Sequence, residues 1–340
     1  MKKRKLWWLL ALLACLAGFA WPAKPTQAAA GARFTISPVL TKNQVGMNNG
    51  YFNLLLQPNA TETLAVNVTN LSDKKLQVRV TPTTAWTNSN IQIDYGPGAP
   101  KDSSASTTLT KLMSSGQTVT LAPKATQRVS FTLRTPKAGL QGLVLGAIRA
   151  EDQKSYKQRT KGFAISNKFA MVLGVQVQNN KDLITQRLRL TGVKAGVQTN
   201  QAAVLATLSN PQPTILNRLQ LKAKVMRRGE TKALLTRSTT RTAMSPNSHA
   251  TFALFSRTAL RPGKYTLDLV ATNPGHRWHF KENFTITAAQ ATKINKQVHL
   301  KVKYQIPWLW LLIGLLILII LILLILLLKR RRKDDSPAGH

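Results

Sequence analysis

LAVNVTNLSDKKLQVRV, residues 64–80, alternates apolar and polar positions on either side of a polar centre. Leu64, Val66 and Val68 share one side of an extended chain, as do Leu76, Val78 and Val80, because successive side chains of a strand point to opposite faces. Between them, Asn70, Ser72 and Asp73 favour a turn by bonding their own backbone. The stretch therefore reads as two strands and a turn. Val129, Phe131 and Leu133 repeat the alternation, and RFTIS (33–37), IQIDY (91–95), LVLGAIRA (143–150) and FAMVLGVQVQ (169–178) are further strand candidates. Gly96-Pro-Gly and Pro136-Lys-Ala-Gly punctuate them. With no convincing amphipathic helix among them, residues 31–180 are expected to form a β-sandwich. Lys101 to Gln117, rich in Ser and Thr, reads as a long loop.

A second strand series starts near Asp182, with a hairpin closed at Arg228-Gly229-Glu230. Seven or so strands in about 105 residues is the size of an immunoglobulin-like sandwich, placed here at 181–288. Tyr265, after Pro262-Gly263, is expected to serve that fold as a corner tyrosine. The fold class is thus all-β, two tandem immunoglobulin-like sandwiches, with a basic stalk over 289–306.

The ends read as targeting segments. Lys-Lys-Arg-Lys at 2–5, an apolar run from Leu6 and Ala28-Ala-Ala30 have the anatomy of a signal peptide over 1–30, with the mature chain expected from Gly31. A lipoprotein signal on Cys15 is the alternative; otherwise the mature chain is free of cysteine and of thiol chemistry. Trp308 to Leu328 carries no charge and is followed by Lys329-Arg-Arg-Arg-Lys333. This predicts a transmembrane helix over 307–328 and a basic cytoplasmic tail over 329–340, with the rest of the chain outside in the cell wall. No sortase pentapeptide precedes it, and the Trp-x-Leu tripeptides at Trp7 and Trp310 lie in membrane-seeking segments, without recognition meaning.

The formal net charge is +36, and removing the ends leaves 38 minus 10, or +28, outside. Basic residues outnumber acidic ones 17 to 6 over 31–180 and 21 to 4 over 181–306. Such a field attracts polyanions. For an exported chain those are phosphate-bearing wall polymers such as teichoic acid, rather than nucleic acid; a general surface adaptation without a specific ligand would give the same balance.

Chemistry is hard to find. The exterior carboxylates form no paired spacing, and no Ser/His/Asp order stands out. His276 and His279 would face opposite sides of a strand, so no metal site is expected there. GPGAP lacks the Gly-Lys-Ser/Thr of a phosphate loop. The chain is read as a non-enzyme without cofactors; a wall hydrolase is the remote alternative.

FTISPVL…NQ (34–44), GYFNLLLQP (50–58), AWTNSNIQIDYG (85–96) and QGLVLGAIRAE (141–151), together with residues 64–80, resemble the WxL-interacting protein family of Gram-positive cell surfaces. The resemblance implies a peptidoglycan-binding domain, then an immunoglobulin-like host-binding domain, with a WxL-domain surface protein as partner and host matrix as a further candidate. Asn53 stands where the family pattern has Asp. Tyr51 and Tyr95 are candidates for stacking on sugar rings, with Asn53, Asn88 and Asp94 supplying hydrogen bonds. Phe52 and Trp86 are assigned to the core, as are Leu54 and Leu56.

Overall fold

A computed structural model describes residues 32–46, 50–154, 156–160, 163–300 and 308–334. The expected signal peptide lies outside these residues, as do 301–306 of the stalk and the end of the tail.

The chain is mostly β. The first unit comprises β1 (Phe34–Val39), β2 (Phe52–Leu55), β3 (Thr61–Asn70), β4 (Leu76–Thr84), β5 (Trp86–Thr87), β6 (Ile93–Asp94), a helical turn α1 (Leu109–Leu112), β7 (Gln117–Leu121), β8 (Thr126–Arg134), β9 (Val144–Asp152), β10 (Tyr156–Thr160), β11 (Phe163–Asn167) and β12 (Ala170–Gln178). Sheet β1-β3-β8 faces sheet β2-β12-β9-β4-β7. All pairs are antiparallel except β2 with β12. The alternation in 64–80 becomes burial: Leu64, Val66, Val68, Val78 and Val80 are 0 % exposed and meet Phe34, Leu54 and Phe131 between the layers. Each such side chain contributes roughly 1.5–3 kcal/mol.

The second unit is built from β13 (Arg189–Gln198), β14 (Gln201–Asn210), β15 (Leu216–Arg227), β16 (Ala233–Met244), β17 (Ser248–Phe255), β18 (Gly263–Asn273) and β19 (His276–Ile286). Its sheets, β13-β14-β17 and β16-β15-β18-β19, enclose Val204, Leu208, Leu221, Phe252, Leu267 and Leu269. The hydroxyl of Tyr265 donates to the Arg261 carbonyl at 2.8 Å, closing the corner before β18.

The two units share one device. Asn70, at the end of β3, is fully buried; its amide donates to the carbonyls of Lys74 and Ala122, and its oxygen accepts from Ser72 N–H. Asn210, at the end of β14, does the same with Thr214, Ser245 and Gln212. A buried amide left unpaired would cost on the order of 1–3 kcal/mol, so these bonds fix each turn to the neighbouring loop.

Three expectations are corrected. Lys101 to Gln117 is not loop throughout: α1 buries Leu109 and Leu112 against the first core. The stalk begins as a packed helix, α2 (Ala288–Gln297), started by a Thr287–Gln290 capping box and seated through Ala291, Ile294 and Asn295. Asn295 exchanges two hydrogen bonds with the Leu260 backbone, at 2.8 and 2.9 Å, and these hold α2 to the second unit. The single-pass membrane placement is also overturned, because among the described residues no helix is long and apolar enough to cross a membrane. In α3 (Trp308–Asp334) the exposed apolar side chains described run from Leu312 to Leu326.

Candidate functional site

The pairing of β4, β9 and β12 aligns Thr83, Ala147 and Gly174 across the outer face of the five-stranded sheet. Tyr51 ends this row: a Cβ on Gly174 would sit 3.6 Å from that of Tyr51. Tyr95 comes over the row from its other end, where its carbonyl accepts from Thr83 Oγ1 at 2.8 Å. Thr83 is 7 % and Ala147 0 % exposed although both point away from the core. Small side chains in the sheet thus make room for a large one above it. Burial, and secondarily the neighbouring Tyr51 hydroxyl, push the Tyr95 phenol above its ordinary pKa. Two tyrosines share a half-buried patch.

Gln44 sets the position of Tyr51. Its amide nitrogen donates to the Tyr51 carbonyl at 3.0 Å, and its oxygen accepts from Asn53 N–H at 3.0 Å. This straddles Phe52, which is 0 % exposed and anchors β2 in the core. The Asn53 side chain donates to the Val45 carbonyl at 3.2 Å, so it braces the same turn. Nearby, Arg149 bonds Glu151, and Lys168 lies 3.6 Å from the other carboxylate oxygen. The Arg149 bond first of all holds Glu151 below the usual carboxylate range. Glu151 thus answers Arg149 and Lys168 together, while Arg79 on the same face donates to Thr118 Oγ1 at 3.2 Å, so the face keeps a modest positive charge.

Asn88 and Asp94 go elsewhere. Asn88 Oδ1 accepts from the N–H groups of Asn90 and Gln92, and Asp94 Oδ1 from that of Gly96 at 2.7 Å. Both spend their acceptors on turns. The turn at Asn88 drives Ile91 into the second unit's core, where it is 0 % exposed. Its carbonyl accepts from Ala243 N–H at 3.0 Å. Ile91 has φ +56°, a conformation that costs a β-branched residue ~1–2 kcal/mol; burial of the side chain, at roughly 2–3 kcal/mol, offsets it. Thr87 reinforces the junction through Ser248 Oγ at 2.6 Å and Ser245 N–H at 3.0 Å. IQIDY is therefore not a continuous strand: β6 holds only Ile93–Asp94. Trp86, expected in the core, is half-buried beside this junction, and its Nε1 is buried without a partner among the described residues.

Between the units lies a cleft of ≈1200 Å³, walled by Trp86, residues 96–103 and 105–108, residues 140–145 and Pro246 to His249. Leu143 N–H donates to Pro213 O across it at 2.8 Å, and Asn247 donates to Ser104 O at 2.8 Å. Asp102 Oδ2 lies 2.7 Å from His249 Nδ1, while Ser104 Oγ donates to Asp102 Oδ1 at 2.7 Å. Burial raises the Asp102 pKa, but the His249 and Ser104 bonds outweigh it and hold the group below the carboxylate range. Serine, histidine and aspartate thus meet in the wrong order for catalysis: a nucleophilic serine must bond the histidine, and here both bond the carboxylate. The trio is a latch between units. Among the described residues no three His, Cys, Asp or Glu side chains could jointly hold a metal. His276 stacks on Trp278, and His279 bonds Asp268 at 2.9 Å.

Of the five residues expected to bind glycan, the fold brings together Tyr51, Tyr95 and, through the strand, Asn53. It directs Asn88 and Asp94 to turns. Sequence reading missed Gln44, although Asn43-Gln44 stood in the quoted motif, and it missed the Asp102–His249 latch, whose members are 147 residues apart.

Family models match two stretches: "WxL Interacting Protein, peptidoglycan binding domain" over 34–152 and "WxL Interacting Protein, host binding domain" over 160–296. The second match begins within β10, so it includes β12, which completes the first unit's sheet. No curated protein matches the sequence. Among solved structures, a chain of a chaperone-tip adhesin complex of CFA/I fimbriae biogenesis is 9% identical, covering 73% of this chain and 98% of that one, with a TM-score of 0.30. The YadV chaperone is 10% identical, covering 75% and 100%, at 0.27. The E. coli chaperone DraB is 13% identical, covering 70% and 96%, at 0.25. Likenesses this slight carry no argument about function.

Proposed function

This chain belongs to the WxL-interacting protein family, and we propose on that premise a non-enzymatic surface scaffold whose first unit grips peptidoglycan through the Tyr51–Tyr95 face. The observation that carries this reading is the row Thr83, Ala147, Gly174: it leaves a floor of small residues between Tyr51 at one end and Tyr95, bonded through its carbonyl to Thr83, at the other. Rings presented in that way can stack on the apolar faces of sugars while their hydroxyls and Asn53 hydrogen-bond sugar hydroxyls. The second unit, immunoglobulin-like in this reading, engages a WxL-domain surface protein and offers host matrix a further contact. Joined by Ile91 and the Asp102–His249 latch, the two units present both contacts from one body, and weak contacts add by high local concentration.

The test is retention of the full chain on peptidoglycan stripped of phosphate polymers, against Tyr51→Ala/Tyr95→Ala. Retention equal in the two proteins sinks the tyrosine face. A second reading, a charge-driven hold on anionic wall polymers, is favoured by the 21-to-4 excess of basic residues over 181–306. Release by 1 M salt distinguishes it, since exposed charge contacts weaken as the Debye length falls from ~10 Å at 0.1 M to ~3 Å.

A further inference from the structure

We infer that the outer face of the sheet β16-β15-β18-β19 is a docking surface for a linear phosphodiester polymer carrying one charge about every 7 Å. This rests on the charge-driven reading and gives it a place.

Register puts Lys222 opposite Val270 and His279, and Lys224 opposite Asp268 and Lys281. Arg277 follows on the same face of β19, opposite Thr272. The basic side chains therefore form two rails, Lys222 and Lys224 on β15, and Arg277, His279 and Lys281 on β19, with β18 between them. Along each rail alternate residues stand ~6.8 Å apart, and the rails are ~9.6 Å apart, two strand spacings. The face holds one carboxylate, Asp268, and it is already matched: Lys224 lies 3.4 Å and His279 2.9 Å from its two oxygens. Among the described residues Lys222, Arg277 and Lys281 are exposed and have no carboxylate partner.

A solvated surface without a ligand would spread these charges over both sheets. The opposite outer face carries fewer: on β13-β14-β17 it shows Thr207, Ser209 and Thr251, with Arg189 and Lys194 on its edge strand and His249 already bonded to Asp102. Geometry then selects the occupant. The face is a run of continuously paired strands, which suits a chain laid along β18 rather than a compact anion. Lysine predominates, and its ammonium is a rotatable point charge that follows a polymer without demanding a bidentate fit. Phosphodiesters joined by three-carbon units repeat every six bonds, roughly 7 Å extended by the reckoning that gives two peptide residues that length. A polyglutamate chain carries charge about twice as densely and matches the rails only at alternate groups.

The experiment measures binding of the full chain to poly(glycerol phosphate) between 0.1 and 1 M salt. Two triple variants remove equal charge: Lys222→Gln/Arg277→Gln/Lys281→Gln on the face, and Lys42→Gln/Lys75→Gln/Lys137→Gln at exposed positions of the first unit. If each cation contributes about 0.7 to the slope of log affinity against log salt, the face variant loses about 2 from the slope and about 100-fold in affinity at 0.1 M. The distributed variant loses less than about 3-fold. Equal losses in the two variants overturn the docking face while leaving a diffuse charge effect. Tighter binding of polyglutamate, or of phosphatidylglycerol vesicles, overturns the choice of polymer. Retention on stripped peptidoglycan separates the failures: the face variant keeps it, and Tyr51→Ala/Tyr95→Ala loses it while still binding poly(glycerol phosphate).

Discussion

The outer face of the first unit's five-stranded sheet and that of the second unit's four-stranded sheet are built alike and furnished oppositely. On the first, small residues lie under Tyr95, and the one carboxylate, Glu151, holds both Arg149 and Lys168 while Arg79 bonds Thr118. On the second, Lys222, Arg277 and Lys281 form no ion pair among the described residues. Inner faces have little freedom, because each must fill a close-packed core. Outer faces are released from that demand, so they can specialise: one toward a shaped, partly dry contact, the other toward an electrostatic one whose strength depends on salt.

The contrast has meaning only if both faces ride on one body, and Ile91 tests that first. Ile91→Ala removes a side chain of the first unit from the second unit's core and is expected to cost about 3 kcal/mol. Calorimetry of the full chain should show the second unit's transition moved down by several degrees; an unmoved transition would mean that this core closes without its neighbour's loop. Next in size, Tyr51→Ala/Tyr95→Ala should weaken peptidoglycan retention about 30-fold, near 2 kcal/mol. Tyr51→Phe/Tyr95→Phe should lose less than about 5-fold, since the rings remain, and an equal loss would shift the contact from rings to hydroxyls.

The latch is expected to matter by about 1 kcal/mol. Asp102 is held below the usual carboxylate range when folded, so the unfolded chain binds the proton more readily. Its contribution is complete above the ordinary value of ~3.9 and is lost as pH falls through the lowered one. Asp102→Asn should remove that part of the acid destabilisation in melting curves taken below pH 4, and curves identical to wild type would sink the latch. Smallest of all, peptidoglycan retention by the tyrosine face should change less than about 2-fold between 0.1 and 1 M salt. A steep salt dependence on stripped peptidoglycan would erase the difference between the faces.

Much of the fold was legible because strand periodicity needs only neighbours. Leu64 to Val80 announced two strands, and Arg228-Gly229-Glu230 announced a hairpin that the structure closes with Gly229 at φ +85°. Phe52, Leu54 and Leu56 were assigned to the core from the same pattern, and they are at most 2 % exposed. The candidate site was legible only in residue type. Tyr51 and Tyr95 looked alike as exposed aromatics, yet what joins them is Gly174 and Ala147 on strands far along the chain. Asn88 has the composition of a sugar-binding amide and the job of shaping a loop. Nothing local distinguishes these uses, because the distinguishing partner is Ile91's destination in another unit. The segment after residue 288 misled for the opposite reason: its charge suggested a stalk, but Ala291, Ile294 and Asn295 recur at helical spacing and found a surface to cover.

By itself, the order of residues determined the β character, the two strand series, the surplus of positive charge and the family. Those properties are sums over local choices, in which alternation, turn residues and ionised groups act wherever they are placed. Only the tertiary structure decided which faces the charges and tyrosines occupy, that Ile91 belongs to its neighbour's core, and that Asp102 meets His249. Strand register brings together residues more than a hundred positions apart, and a shift of one residue would turn each side chain to the other face of its sheet.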